Sequence, residues 1–293
     1  MRSVILSAGK SCFVACPGCY NYFGRTVSDT SQVVRFAAAL RDRFALEKIT
    51  VGGGDPLTRP DIVPLLRSLH SLGLRIHLDT VGTAFLGPAR IRFMGAGTAE
   101  HVPADDVAAV TDLIGIPLDG STDAVQQQFR RHATVASQLA ALSLLDKAGA
   151  RLCINTVVHA GNTEDIAPIA KLLGRYTAIR EWQLFQFMPI GPLGHRNRER
   201  FLISNSDFER AAVTAREDAP GNVRVTVKST SGRKHRYLLI DSAGLIWTPE
   251  QSHPAAWQSE DANDRRQLIG NINDAGILDR LMALEDAIAE VTA

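Results

Sequence analysis

The sequence predicts an α/β fold of six parallel βα units, enough to make most of a barrel, with a small antiparallel and helical extension after it. Two observations carry this reading. Short β-branched or apolar runs alternate with segments of helical period through about residue 190, the pattern of parallel βα units. Beyond residue 200 the rhythm changes to one helical segment and several short strand-like runs.

Taken in order, strands are expected near 3–7, 47–51, 74–79, 112–118, 151–158 and 181–188. Between them, Ile62, Leu65, Leu66 and Leu69 share one helical face, and Ile166, Ile169, Ala170 and Leu173 share another. Asn162 and Thr163 are cap candidates for the second of these helices, with Glu164 and Asp165 in its first turn. The stretch from about 84 to 104, with Gly87, Pro88, Gly95, Gly97 and Pro103, interrupts the rhythm and predicts a lid or hairpin beside the third strand. A helix is expected near 205–217, followed by strands at Val223–Val227, Tyr237–Ile240 and Leu245–Trp247. Turn signals at Ser231-Gly232 and Ala243-Gly244 separate these strands and suggest antiparallel pairing. The expected division is a barrel over residues 1–200 and an extension covering it over 201–293.

A chain of 293 residues can bury a substantial core in one large domain or two smaller ones. Its formal net charge of +1 gives no overall electrostatic footprint for nucleic acid. The apolar stretch after Met1-Arg2-Ser3 is too short for a signal-peptide core, and no run approaches a membrane span. A cytoplasmic location is expected, because unpaired cysteines persist in a reducing compartment.

Three of the four cysteines, Cys12, Cys16 and Cys19, lie on the loop after the first strand. A structural zinc site wants four ligands and a disulfide framework an even number, whereas three thiolates leave one coordination position open. An iron–sulfur cluster with one exchangeable iron fits that arithmetic. Zinc completed by a histidine is the other use of such a trio.

Cys12-x-x-x-Cys16-x-x-Cys19, followed one βα unit later by Gly52-Gly53-Gly54-Asp55-Pro56-Leu57, resembles the radical S-adenosylmethionine superfamily. The likeness continues through Pro117-Leu118-Asp119-Gly120, Asn155 and the run Trp182 to Pro189. It implies a partial (βα)6 TIM-type barrel with a [4Fe-4S] cluster on the three cysteines and S-adenosylmethionine chelating the fourth iron. Reductive cleavage would then yield a 5′-deoxyadenosyl radical that takes hydrogen from a substrate. The resemblance implies cofactor contacts at Gly52, Gly53, Gly54, Asp55, Asn155 and Met188. Asp119 is either a contact or the cap of the next helix, and Arg130 or Arg131 either holds the cofactor carboxylate or starts a helix at the surface. Two departures stand out: Asp55 replaces the usual Glu, and Gly18 replaces an aromatic residue before the last cysteine, leaving Tyr20 to serve beside the adenine.

Residues 200–293 contain no cysteine, so an auxiliary cluster is not expected. The expected substrate is a small polar molecule such as a sugar, aminoglycoside, nucleoside or nucleotide. Epimerisation, isomerisation or elimination suits a single cluster, as part of a biosynthetic pathway, with a flavodoxin or ferredoxin as reductant. A peptide-modifying enzyme is the alternative within the family, and a non-catalytic electron carrier or regulator the alternative outside it. Segments 200–210 and 237–241 resemble the C-terminal part of viperin-like members. Period-two spacing puts Cys153 on the same strand face as Asn155, so it is either a core thiol or a hydrogen-atom donor to a substrate radical. The arginine-rich runs His195–Arg200 and Arg233–Arg236 read as anion clamps or solvated loops.

Overall fold

The computed structural model describes residues 2–230, 238–249 and 266–292. Its strands are β1 (Ser3–Gly9), β2 (Lys48–Gly53), β3 (Arg75–Asp79), β4 (Ala89–Arg90), β5 (Thr98–Ala99), β6 (Leu113–Pro117), β7 (Leu152–Val158), β8 (Ile179–Gln186), β9 (Arg224–Lys228), β10 (Leu239–Ile240), β11 (Leu245–Pro249) and β12 (Arg266–Asn271). The helices are α1 (Thr30–Phe44), α2 (Ile62–Ser71), α3 (Ala104–Ala108), α4 (Asp123–Phe129), α5 (Val135–Lys147), α6 (Ile166–Leu173), α7 (Gly191–Arg196), α8 (Arg198–Phe201), α9 (Asn205–Asp218) and α10 (Ile277–Thr292).

The strands β1, β2, β3, β6, β7 and β8 are parallel neighbours in one sheet, in the sequence-predicted order. Their alternation divides the molecule. Val4, Leu6, Ile49, Val51, Ile76, Leu78, Ile114 and Ile116 are buried on one face. There the expected helix faces, Ile62 through Leu69 and Ile166 through Leu173, are buried as well, and burial of such side chains is worth about 1.5–3 kcal/mol each. The other face carries Ser7, Thr50, His77, Asp79, Gly115, Cys153 and Asn155, two residues apart on their strands, and forms the polar interior of the partial barrel.

Antiparallel pairing begins later than the sequence suggests. β9 is parallel to β8, because α9 returns the chain to the start of the sheet and adds one more βα crossover. β10 then pairs in parallel with β1 at the opposite edge, and within this sheet, among the described residues, the antiparallel pairs are β10–β11 and β11–β12. Residues after 200 therefore lengthen both edges of the sheet. The Ala243-Gly244 turn is present, with Gly244 at φ 79°, a conformation that favours glycine. Ser231-Gly232, Arg233–Arg236 and Tyr237 lie outside the described residues.

The interruption at 84–104 contains the β4–β5 hairpin. Its connecting loop pairs with the cysteine loop: the Cys12 N–H donates to the Phe93 carbonyl at 2.9 Å, and the Arg92 N–H to the Cys12 carbonyl at 2.9 Å. The cap of α6 falls on Asp165 after a single 3₁₀ turn. Asn162 instead accepts from the His159 N–H and donates to the carbonyls of Asp119 and Val157. No helix among the described residues is long and apolar enough to cross a membrane.

Candidate active site

The two sequence motifs form one backbone assembly at the mouth of the barrel. The Gly54 N–H donates to the Gly9 carbonyl at 2.8 Å, and the Asp55 N–H to the Ser11 carbonyl at 2.7 Å. The Asn21 amide donates to the Gly53 carbonyl. A Cβ on Gly54 would lie 2.2 Å from the Ser11 oxygen, and one on Gly53, at φ 119°, would lie 2.4 Å from Ser7 Oγ. Glycine at 53 and 54 thus lets the β2 loop close on the cysteine loop. Gly52 differs: a Cβ there would meet only the Asp79 side chain, at 3.8 Å.

Asp55 is sequestered under this assembly, close enough to Cys12 to act on its thiol. It is fully buried and accepts from the Leu57 N–H at 3.0 Å, from Thr80 Oγ1 at 2.8 Å and from the Val81 N–H at 2.7 Å. Burial pushes its pKa up to about 6 although these three donors favour the charged form. Its part is to fasten the β2 loop to the end of β3.

The three thiols share one neighbourhood. Burial pushes all three pKa values up, Cys19 to about 12. Cys12 is raised further by Asp55, Cys16 and Cys19, and Cys19 by Cys16. Such sulfurs ligate only when a strong cationic centre offsets their mutual repulsion and desolvation. Among the described residues no three His, Cys, Asp or Glu side chains converge where a single ion could be held. A cuboidal cluster asks for something else, since its irons occupy separate corners. The donor set fits it.

The loop is braced from outside. The Gly194 N–H donates to the Cys19 carbonyl at 3.2 Å, and Asn197 Nδ2 to the Pro17 carbonyl at 2.9 Å. The second contact comes from the run His195–Arg200 and the first from the residue just before it; Arg198 instead meets His195, and Arg200 lies over the Phe201 ring at 5.0 Å. Sequence reasoning singled out that run for its charges and missed Asn197 and the neighbouring Gly194.

Gly18 also has a structural explanation. A Cβ there would fall 2.3 Å from Phe129 and 2.9 Å from Phe187. Their rings occupy the space beside the last cysteine, within a cluster of Phe129, His159, Phe187 and Phe201. Tyr20 stands at the mouth, 46% exposed, close enough for Cys19, Asp79 and Arg130 to act on its hydroxyl. Met188, just past β8, is half-buried.

Asp119 does not cap a helix, because Thr122 caps α4. It is fully buried; one oxygen accepts from the Val157 N–H at 2.7 Å and the other from Arg130 Nε at 2.5 Å. Arg130 Nη1 then reaches to 3.8 Å from Cys16 Sγ. Burial opposes the Arg130 charge, and Asp119 followed by Cys16 more than restores it. Arg131 faces outward.

Deeper in the barrel, Asn155 Nδ2 donates to Asp79 Oδ1 at 2.6 Å, and His77 Nε2 lies 3.2 Å from the same oxygen. Cys153 is fully buried and aims its thiol at Asn155 Oδ1, 3.5 Å away. Asn155 therefore has partners within the protein for both its amide nitrogen and its oxygen. Asp79, His77 and Gly115 were not singled out from sequence, although their two-residue spacing was readable.

The family model of the Radical SAM superfamily matches residues 6–173. The chain belongs to that superfamily, whose members hold a [4Fe-4S] cluster and S-adenosylmethionine. Among relatives, the GTP 3′,8-cyclase of Erythrobacter litoralis is 28% identical over 250 residues, covering 78% of this chain and 68% of its own length. The PqqA peptide cyclase of Ruegeria pomeroyi is 29% identical over 206 residues, covering 68% and 50%. The AdoMet-dependent heme synthase of Methanosarcina barkeri is 28% identical over 163 residues, covering 55% and 42%. This chain thus spans about half the length of the latter two. Solved structures with the same fold include native anSMEcpe with bound AdoMet, with a TM-score of 0.64, 15% identity and coverage of 96% and 80%. Streptococcus suis SuiB bound to S-adenosylmethionine has a TM-score of 0.65, 13% identity and coverage of 88% and 64%.

Proposed function

We propose that the chain cleaves S-adenosylmethionine reductively at a [4Fe-4S] cluster held by Cys12, Cys16 and Cys19, to act on a small polar substrate in the barrel. The observation that carries the reading is the joining of the cysteine loop to the Gly52–Asp55 loop above a polar interior. When bound, cluster and cofactor supply a 5′-deoxyadenosyl radical able to take hydrogen from a substrate carbon. The chain's own residues bind and orient. Main-chain carbonyls at the end of the Gly52–Gly54 segment would accept from the methionine ammonium, and Arg130, set by Asp119 beside Cys16, offers its guanidinium to the carboxylate. Asp55 acts through the loop it fastens. Asp79, set by Asn155 and His77, presents its remaining oxygen to a hydroxyl, and Tyr20 and Met188 border the mouth. Cys153 is assigned as hydrogen-atom donor from the barrel floor in an epimerisation or isomerisation.

A peptide substrate is the second reading, supported by the match to a peptide cyclase. Anaerobically reconstituted protein given S-adenosylmethionine and dithionite should release 5′-deoxyadenosine. An electron carrier or a regulator would release none.

A further inference from the structure

We propose that Arg92, Arg131 and His132 form the docking surface for an acidic one-electron carrier protein that reduces the metal centre on the cysteine loop. The proposal rests on the reductive-cleavage reading above. The surface is joined to the loop through main chain: the Arg92 N–H donates to the Cys12 carbonyl at 2.9 Å, and the Ala15 N–H to the Arg131 carbonyl at 3.2 Å. A partner bound over these side chains would stand against the outside of the Cys12–Cys16 segment.

The charge there is uncompensated. Arg92, Arg131 and His132 are all exposed, and among the described residues neither arginine has a carboxylate within ion-pair distance. Several arginines elsewhere are paired, Arg43 with Asp279, Arg59 with Asp61, Arg75 with Glu47 and Arg224 with Glu181; what sets Arg92 and Arg131 apart from single exposed arginines is that both act on one histidine ring. Among the described residues, the charged groups that act on the His132 ring are the two arginines, which add to slight burial in lowering its pKa. His132 itself has φ 76°, an unusual conformation for a non-glycine residue, as the chain turns outward between α4 and α5. Phe23, 58% exposed, holds its ring 6.4 Å from that of Phe93, next in sequence to Arg92. The formal charge of the whole chain is only +1, so this grouping does not reflect general basicity.

Such a surface suits a small flavin or iron–sulfur protein with an acidic face. The carrier loses one electron and the loop's metal centre gains it; no bond forms or breaks and no proton moves.

Calorimetric titration of an acidic flavodoxin into the anaerobically reconstituted protein tests the surface. Wild-type affinity should fall steeply with added salt, and the Arg92→Glu/Arg131→Glu double variant should bind about tenfold weaker or worse. Arg216→Glu, a charge reversal on α9, should bind as wild type does. Dithionite-driven release of 5′-deoxyadenosine should be unchanged in the double variant, while flavodoxin-driven release falls. Double-variant affinity within about twofold of wild type, salt-insensitive binding, or no binding by wild type overturns the docking surface alone. Absence of dithionite-driven product from wild type instead removes the reading on which the surface rests.

Discussion

Asn155 Nδ2 and Asp79 Oδ1 meet at 2.6 Å across the intervening strand, over a residue with no side chain, Gly115. A Cβ at position 115 would lie 2.2 Å from that oxygen, 2.6 Å from that nitrogen and 3.2 Å from His77 Nε2. Three polar side chains from β3 and β7 can converge above β6 only because it carries glycine here. Gly115→Ala should separate them and lower stability by about 1–3 kcal/mol through overpacking. Urea unfolding measures the loss; an unchanged midpoint would show that the network relaxes freely around the methyl group.

The Asp119–Arg130 pair makes a second expectation. Asp119→Ala leaves the guanidinium without its buried carboxylate and should destabilise by about 3–5 kcal/mol. Asp119→Asn keeps the volume but loses the charge that holds Arg130 beside Cys16. It should weaken S-adenosylmethionine binding about tenfold, as should Arg130→Lys, which loses the planar fork. Equilibrium dialysis of the reconstituted protein reads both, and cofactor affinity unchanged in Asp119→Asn would deny Asp119 its positioning role.

Gly54→Ala places a methyl group against the Ser11 carbonyl. Because Asp55 N–H also bonds that carbonyl, the β2 loop and the cysteine loop must part together. Iron and sulfide incorporated on reconstitution should fall several-fold. Full incorporation would mean the two loops are not one unit.

His159 gives a pH dependence with a definite sign. Burial first, and then the charges of Arg130 and Arg200, push its pKa from 6.5 down to about 4. The unfolded chain therefore takes up this proton more readily than the folded one. The stabilising contribution is full above pH 6.5 and is lost as pH falls toward 4, amounting to about 3 kcal/mol. Urea midpoints for wild type and His159→Gln should converge as the pH is lowered through that window; a constant difference contradicts the assignment.

Much of this was legible in the sequence because it is local. Strand β7, expected over 151–158, spans Leu152–Val158, since an apolar β-branched run between turn signals has few alternatives. The parallel placement of β9 was not legible, because parallel partners are chosen by a crossover whose far end lies elsewhere in the chain. In the site, the cysteines and Gly52–Gly54 stood out by spacing. Asp79 and Gly115 did not, because their meaning lies in a register between strands separated by helices. Asp55 was read as a cofactor contact from its motif, whereas the three donors that bury it come from its own turn and from the end of β3.

The central claim is that the loop bearing Cys12, Cys16 and Cys19 leaves one iron of a four-iron cluster open to S-adenosylmethionine. Electron paramagnetic resonance of the anaerobically reconstituted, dithionite-reduced protein, recorded with and without S-adenosylmethionine, addresses it most directly. A reduced four-iron signal whose shape changes on adding the cofactor is expected. A signal indifferent to the cofactor, or no four-iron signal at all, would contradict it.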